Sequence, residues 1–156
     1  MNRKKYIVAL MLLFILLVGC SKNSIYESNE EILSIQNNFN LDVKNQSIEN
    51  QHLKGSIEKT EGMDTIWVYE SNEDKVLDIT YLLDVDSGKV KLVLINPDNS
   101  ITNIIETTDK SEITGYATST LKIKKGINRI KIVVGKNTSA KFDITIPEGK
   151  FETLGM

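Results

Sequence analysis

Four stretches of this sequence alternate apolar and polar residues with a period of two, which is the pattern of a β-strand that buries one face. They read VLDITYLLDV, KVKLVLI, NRIKIVV and AKFDITI. A sheet with one buried face and one wet face is typical of antiparallel pairing. The clusters DVDSGK, NPDNS, KKG and GKNTS separate the apolar runs, as short hairpin connections require. The alternation therefore predicts an all-β, antiparallel chain.

The spacing of strands and turns predicts one β-domain over residues 54–147. About eight strands are predicted, near residues 54–59, 63–70, 76–85, 89–96, 101–106, 113–124, 127–135 and 140–146. Short strands at this spacing favour a small antiparallel β-sandwich of jelly-roll or immunoglobulin-like topology. Pro147 ends the last strand because proline has no N–H to donate. Residues 148–156 are predicted to be a loosely held C-terminal tail.

Residues 20–53 precede this domain and are rich in Asn, Gln, Ser and Glu. We interpret them as a polar tether that holds the domain away from its attachment point. The alternative is one short helix within this segment. Ser28 and a glutamate three residues later have the spacing of a capping box, and Ile32, Ile35 and Phe39 would then fall along one side.

The first twenty residues have the order of a secretory signal peptide. The basic start MNRKK is followed by YIVALMLLFILLV, which is shorter than the about 20 apolar residues that cross a membrane. The next residues complete the motif LVGC, which ends at Cys20 and resembles the lipobox of bacterial lipoprotein precursors. This resemblance implies that residues 1–19 are removed and that the sulfur of Cys20 receives a diacylglyceryl group. Acyl chains of the palmitate type on Cys20 would then anchor the mature chain to the extracytoplasmic face of the cell membrane. Two such chains give stable anchoring.

Charge and cysteine content argue against several classes of ligand. The formal net charge of −2 gives no electrostatic reason to expect nucleic-acid binding. With one cysteine and one histidine, neither a disulfide within the chain nor a His/Cys metal site is predicted. The loop DVDSGK lacks the glycine at position six and the glutamate at position twelve of an EF-hand. No metal and no cofactor are therefore predicted.

The sequence offers little for catalysis. His52 is the only histidine, and it lies in the predicted tether, which is a poor support for the geometry that acid–base catalysis needs. No serine or cysteine stands in a recognisable nucleophile motif, and the adjacent acids Glu73 and Asp74 are typical of a solvated loop. The chain is therefore predicted not to be an enzyme, and a hydrolase is the least favoured alternative.

Two features are candidates for binding, and the first is the pair Trp67 and Tyr69. These residues are two apart, so they project from the same face of a strand, while Ile66 and Val68 project from the other. If the aliphatic pair faces the core, the two aromatic rings could stack on a sugar or a protein partner. The favoured interpretation is that both aromatic side chains belong to the core.

The second candidate is a basic strip made of Lys122, Lys124, Arg129 and Lys131. If the KG pair between them is a two-residue turn, these side chains share the exposed face of one hairpin, with Lys122 opposite Arg129. The strip would bind an anionic wall polymer, a lipid head group or an acidic partner. The favoured alternative is a solvated face that protects a sheet edge from aggregation.

The stretch STLKIKKGINRIKIVV, which contains the basic strip, resembles a strand pair of carbohydrate-binding jelly-roll modules. The resemblance matches no ligand-binding residue of those modules. Anchor, tether, small β-domain and missing catalytic set together favour a non-catalytic module that binds a glycan, a wall polymer or a surface protein. The alternative is an accessory or inhibitory subunit of a membrane-bound partner.

Overall fold

The computed structural model describes residues 25–40, 42–111 and 115–155. The predicted signal peptide, residues 1–19, and the predicted lipid attachment site, Cys20, lie outside these residues. The described chain is all-β and antiparallel, which confirms the predicted class. No helix in the described ranges is both long and apolar enough to cross a membrane.

The described chain begins with a 3-10 turn, Ile25–Glu27, and one short helix, α1 (Asn29–Leu33). Nine strands follow: β1 (Asn38–Asn40), β2 (Val43–Glu49), β3 (His52–Ser71), β4 (Lys75–Ser87), β5 (Lys89–Ile95), β6 (Ile101–Thr108), β7 (Ala117–Ile123), β8 (Gly126–Thr145) and β9 (Lys150–Phe151).

Two strands of 20 residues each, β3 and β8, organise the fold. They pair along their whole length, from His52 opposite Thr145 to Ser71 opposite Gly126. Each was predicted as two shorter strands. The register shifts near Thr60 and the positive φ of Asn137 mark where the two strands bend without separating. A β-bulge bends a strand in this way while its pairing continues on both sides.

The bend allows one hydrogen-bonded sheet to form both layers of a sandwich. The first half of β8 continues into β5 and β6, whereas its second half continues into β4 and β7. The main core lies between the two layers and includes Leu92, Ile132, Leu83 and Phe142. The predicted sandwich is therefore confirmed, with layers that share their two longest strands.

A second, smaller core covers the outer face of the β3–β8–β5 layer. Val93, Ile95 and Val133 point to this face, and Tyr26 and Ile32 of the N-terminal segment lie against them. Both faces of this layer are thus buried. That explains why LVLI in β5 and IVV in β8 are unbroken apolar runs rather than alternating ones.

The described chain is already packed at Tyr26, whereas residues 20–53 were predicted to be a tether. Tyr26 and Ile32 are each 1% exposed, and β1 and β2 both pair with β3. Although this segment is mostly polar, two of its large side chains, Tyr26 and Ile32, complete the second core. The packed domain therefore includes residues that precede the boundary predicted at residue 54.

The short helix that was the alternative prediction is present. The Ser28 side chain accepts a hydrogen bond from the Glu31 N–H at 3.3 Å, which is one of the two bonds of a capping box. The Ser28 N–H donates to the Ile25 carbonyl at 3.2 Å in place of the second. Ile32 is buried, but Ile35 lies beyond the last helical residue, Leu33, and is 82% exposed. The isoleucines therefore do not share one face, because the helix ends before a second turn is complete.

The C-terminal residues also differ from the loose tail that was predicted. β9 pairs with β3 opposite Trp67 and Val68, and Phe151 and Leu154 are buried in the main core. The N–H of Leu154 donates to the side chain of Gln46 at 2.8 Å. Pro147 interrupts strand pairing as predicted, but the chain then returns to the sheet.

Asp64 is a buried carboxylate beneath this C-terminal segment, and it accepts a hydrogen bond from the Gly155 N–H at 3.1 Å. Burial raises its pKa from 3.8 to about 6, against the opposing effects of its backbone hydrogen bonds and of Lys131, while Glu152 adds to the rise. Between pH 3.8 and about pH 6, Asp64 is therefore mostly protonated in the folded state and mostly ionised in the unfolded state. The contribution of Asp64 to stability therefore grows as the pH falls through 6 and is complete below about pH 4.

We expect this pH dependence to disappear in the Asp64→Asn variant. The wild type should gain about 1–3 kcal/mol of unfolding free energy relative to the variant between pH 7 and pH 4. Urea titrations at pH 7 and pH 4 measure the unfolding free energy of both proteins. The contributions of the other carboxylates are the same in both and cancel when the variant is subtracted from the wild type. A difference that does not change with pH would show that Asp64 keeps an ordinary pKa in the fold.

Candidate ligand-binding groove

The structure places Trp67 in the core, where it cannot reach a ligand. Its side chain is 0% exposed, and its indole N–H donates to the Glu148 carbonyl at 2.8 Å. Ile66, the preceding residue, is equally buried. The register shift between Thr65 and Trp67 explains this, because a bulge turns two successive side chains to the same face.

Tyr69 is partly buried beside Trp67, with 5.7 Å between the ring centroids. Its hydroxyl donates to the Glu148 carboxylate at 2.5 Å, and Lys75 Nζ lies 2.6 Å from the same carboxylate. The hydrogen bonds from Lys75 and Tyr69 hold the pKa of Glu148 below its usual range. Trp67 and Tyr69 thus form part of the packing between β3 and the C-terminal segment.

The basic strip predicted from Lys122, Lys124, Arg129 and Lys131 is not assembled. β7 pairs with β4 rather than with β8, so Lys122 lies opposite Val76 and not opposite Arg129. The hairpin does not form because β3 and β5 already occupy both edges of the first half of β8. Lys124 instead forms an ion pair with Asp98.

Arg129 and Lys131 hold the N-terminal segment. Lys131 is 0% exposed, and its ammonium donates to the carbonyls of Ser34 at 2.6 Å and Gln36 at 3.1 Å. Arg129 donates to the carbonyl of Leu33 at 3.2 Å. Burial lowers the pKa of Lys131 to about 8. These two cations satisfy carbonyl groups at the end of α1, where a helix leaves acceptors unpaired.

A groove combines charged side chains with an exposed aromatic ring. It lies on the outer face of the layer formed by the first half of β3, the second half of β8 and β4. It has a volume of about 360 Å³. The register aligns Lys54, Asp143 and Leu82 across β3, β8 and β4, and aligns Ser56, Lys141 and Asp84 one pleat further. Gly55 lies between these rows, and a Cβ there would be 2.7 Å from the Phe142 ring. The glycine therefore lets Phe142 pack directly beneath the groove.

Asp143 is the most buried charged side chain of the groove. The residue is 8% exposed, and its carboxylate lies 2.6 Å from His52 Nε2 and 3.9 Å from Lys54 Nζ. A carboxylate at this depth requires such partners, because an unpaired buried charge is costly. His52 and Lys54 thus hold Asp143 in place on the sheet.

Tyr116 stands over this cluster, directly before β7, and it is 62% exposed. The Tyr116 hydroxyl donates a hydrogen bond to the Asp143 carboxylate, which raises the pKa of the phenol. Asn45, which has a positive φ of 51° at the bulge in β2, completes the opposite side of the groove. The arrangement presents one aromatic face, two lysines and two carboxylates to a ligand.

Sequence reasoning missed this groove because its residues come from four separate strands and a loop. His52 was placed in a tether, whereas it is the first residue of β3. The available signal was the alternation itself: Lys141 and Asp143 are the polar positions of AKFDITI and point away from the core. Which neighbouring strands complete that outer face is decided by long-range pairing.

A second groove, of about 460 Å³, lies between β6 and β7. It is lined by Leu94, Thr102, Asn103, Ile104, Thr118, Ser119, Thr120 and Leu121. It presents no charged or aromatic side chain, so it offers fewer strong contacts than the Tyr116 groove. Within the described part of the chain, no three His, Cys, Asp or Glu side chains are arranged to hold a metal ion.

Comparison with known proteins gives structural likeness only. No protein-family model and no curated protein matches this sequence. Among solved structures the chain is similar to a CBM4 module, with 10% identity, 72% of this chain and 78% of that chain covered, and a TM-score of 0.39. It is also similar to CBM35 from Paenibacillus barcinonensis, with 15% identity, 68% and 91% covered, and a TM-score of 0.39.

A third similar structure is a mutant of the carbohydrate-binding module CBM29-2 in complex with mannohexaose, with 13% identity, 72% of this chain and 94% of that chain covered, and a TM-score of 0.35. In all three comparisons the identity does not exceed 15% and the TM-score does not exceed 0.39. What this chain binds must therefore be inferred from its own groove.

Proposed function

We propose that this protein is a non-catalytic binding module that takes a saccharide in the Tyr116 groove. The observation that carries the proposal is the exposed Tyr116 ring beside Asp143, Asp84, Lys54 and Lys141. A sugar ring has an apolar C–H face and a rim of hydroxyl groups. An aromatic face packs against the first, and charged donors and acceptors bind the second with hydrogen bonds stronger than neutral ones.

The support of the groove suits binding. Its charged side chains, Lys54, Asp84, Lys141 and Asp143, stand on paired strands, and rigid elements hold a site more precisely than loops do. His52 Nε2 lies 2.6 Å from the Asp143 carboxylate, and no hydroxyl or thiol of the described residues forms a hydrogen bond with the His52 ring. The pair therefore positions Asp143 as an acceptor. With two cations and two carboxylates, the groove is balanced in charge and suits a neutral or zwitterionic saccharide.

The proposal includes the lipid anchor. The motif LVGC behind a short apolar run supports cleavage before Cys20 and attachment of a diacylglyceryl group. The module would then sit at the extracytoplasmic face of the cell membrane. In that position its ligand would be a wall polymer or a surface glycan.

The test of the groove uses the soluble chain from Ser21 onward on an array of bacterial and plant oligosaccharides, with isothermal titration of any hit. Tyr116→Ala should weaken binding at least about tenfold, a loss of about 1.4 kcal/mol. Tyr116→Phe should retain most of the affinity, because it keeps the ring and loses only the hydroxyl.

Val76→Ala is the matched control. Val76 is also 62% exposed and lies on the outer side of β4, six residues before Leu82, or about 20 Å along the strand. This variant should bind as the wild type does. Unchanged affinity in Tyr116→Ala, equal losses in both variants, or no saccharide bound by the wild type would each refute the proposal.

A further inference from the structure

The burial of Tyr26 limits how far the domain can stand from an anchor at Cys20. Tyr26 is 1% exposed, and its hydroxyl donates to the Glu106 carboxylate at 2.9 Å. The ammonium of Lys89 lies 4.0 Å from the centre of the Tyr26 ring, and that of Lys91 lies 4.4 Å from it. The 3-10 turn is therefore fixed to the β5–β6 side of the sandwich within two residues of Ile25.

Only five residue steps join Cys20 to Ile25. A peptide chain covers at most about 3.6 Å per step, so the anchor and Ile25 are separated by no more than about 18 Å. A flexible tether of some thirty residues would instead have a typical span of about 30 Å. The anchored domain is thus confined near the bilayer, and one part of its surface must face it.

The contacts of the 3-10 turn identify that part. Glu27 pairs with Lys89 at 2.7 Å, directly after the turn between β4 and β5. The Gly88 carbonyl in this turn accepts a hydrogen bond from the Asp109 N–H at 3.2 Å. The side chain of Ser87 donates to the carbonyl of Asn137, in the bend of β8, at 3.1 Å. Two turns and the bend of β8 therefore meet at one end of the sandwich, which we name the anchor end: residues 87–89, 109–111 and 136–137.

We propose that the anchor end of the sandwich faces the phospholipid surface in the lipidated protein, an orientation that rests on the proposed lipid anchor. The opposite end, the turn 72–74 before β4, then points away from the membrane. The 13 residues of β4 separate the two ends by about 40 Å. The Tyr116 groove lies on the layer opposite the N-terminal segment. Its Asp84 is three residues, or about 10 Å, from Ser87, so the groove opens close to the membrane.

Energy transfer from the domain to the bilayer tests this orientation. Lys136→Cys and Glu73→Cys each give one reactive thiol, because the lipid occupies the native cysteine, and both native side chains are exposed. The lipidated full chain carrying a donor dye at one site is reconstituted into phosphatidylcholine vesicles with rhodamine-labelled phosphatidylethanolamine. Because about 40 Å separates the ends, transfer from position 136 should be at least about twice that from position 73.

A matched variant with a 24-residue Gly/Ser insertion after Ser24 should bring the two efficiencies together, since this linker adds a typical span of about 25 Å. Equal transfer from both positions without the insertion, or stronger transfer from position 73, would overturn the orientation. Palmitate labelling of the wild type and of Cys20→Ala is measured on the same preparations. Unlabelled wild type would refute the anchor and the orientation together, whereas equal transfer in labelled protein refutes the orientation alone.

Discussion

Ile32→Ala should lower the free energy of unfolding by about 2–4 kcal/mol, because it removes a fully buried side chain from the second core. Ile32 is 1% exposed and packs in the cluster that contains Val93, Ile95 and Val133. Its loss leaves a cavity between α1 and the outer face of the β3–β8–β5 layer. Urea unfolding of the soluble chain from Ser21 onward measures the effect.

Ile35→Ala is the control for this prediction. Ile35 is three residues away and has the same chemistry, but it is 82% exposed, so the change should stay within about 0.5 kcal/mol. The contrast separates a packed N-terminal segment from a tether, in which both isoleucines would be equivalent. Two small and equal effects would show that Ile32 is not packed in the second core.

Trp67→Ala should cost about 3–5 kcal/mol of unfolding free energy. The indole is fully buried, donates to the Glu148 carbonyl, and packs so closely under the C-terminal segment that a Cβ on Gly149 would lie 2.5 Å from it. The substitution therefore removes a large apolar group and leaves a carbonyl without its donor. Trp67→Phe keeps part of the volume and should cost about 1–3 kcal/mol, chiefly through the lost hydrogen bond.

Tyr116→Ala is the aromatic control, and its effect on stability should stay within about 0.5 kcal/mol because the side chain is largely in water. Thermal unfolding followed by circular dichroism compares the three variants with the wild type. If Trp67→Phe is as stable as the wild type, the tryptophan is not held in the core. If Tyr116→Ala unfolds readily, Tyr116 is a packing residue and the groove loses its principal ligand contact.

The strand content of this fold could be predicted from the alternation, because Ile79, Tyr81 and Leu83 meet the same core as Ile144 and Phe142. Each of these positions depends only on which face of its own strand it occupies. The pairing of the strands could not be read in the same way. The predicted hairpin of β7 and β8 is absent, since both edges of β8 near Ile130 are taken by strands far away in the sequence.

The prediction of a tether in the polar N-terminal segment differs from the structure for another reason. Composition averages over a segment, whereas burial is decided residue by residue, and Tyr26 and Ile32 suffice to close a core among many polar neighbours. The prediction that Lys131 lies on an exposed face differs from the structure for a similar reason. An alternating lysine indicates an outward face, but that face is covered by the carbonyls of Ser34 and Gln36. Local patterns therefore identify the strand faces, and the rest of the chain determines which of them meet water.

The pairing of β3 with β8 also constrains when the protein can acquire its structure. His52 lies opposite Thr145, so the residues that close this ribbon are separated by most of the chain. Contacts of such sequence separation form slowly, because loop closure must precede the stabilisation they give. Neither layer can be completed before β8 is available, and β8 ends at Thr145. A partly synthesised chain that still lacks β8 therefore has little to fold around, and its extended state persists until the last strands are available.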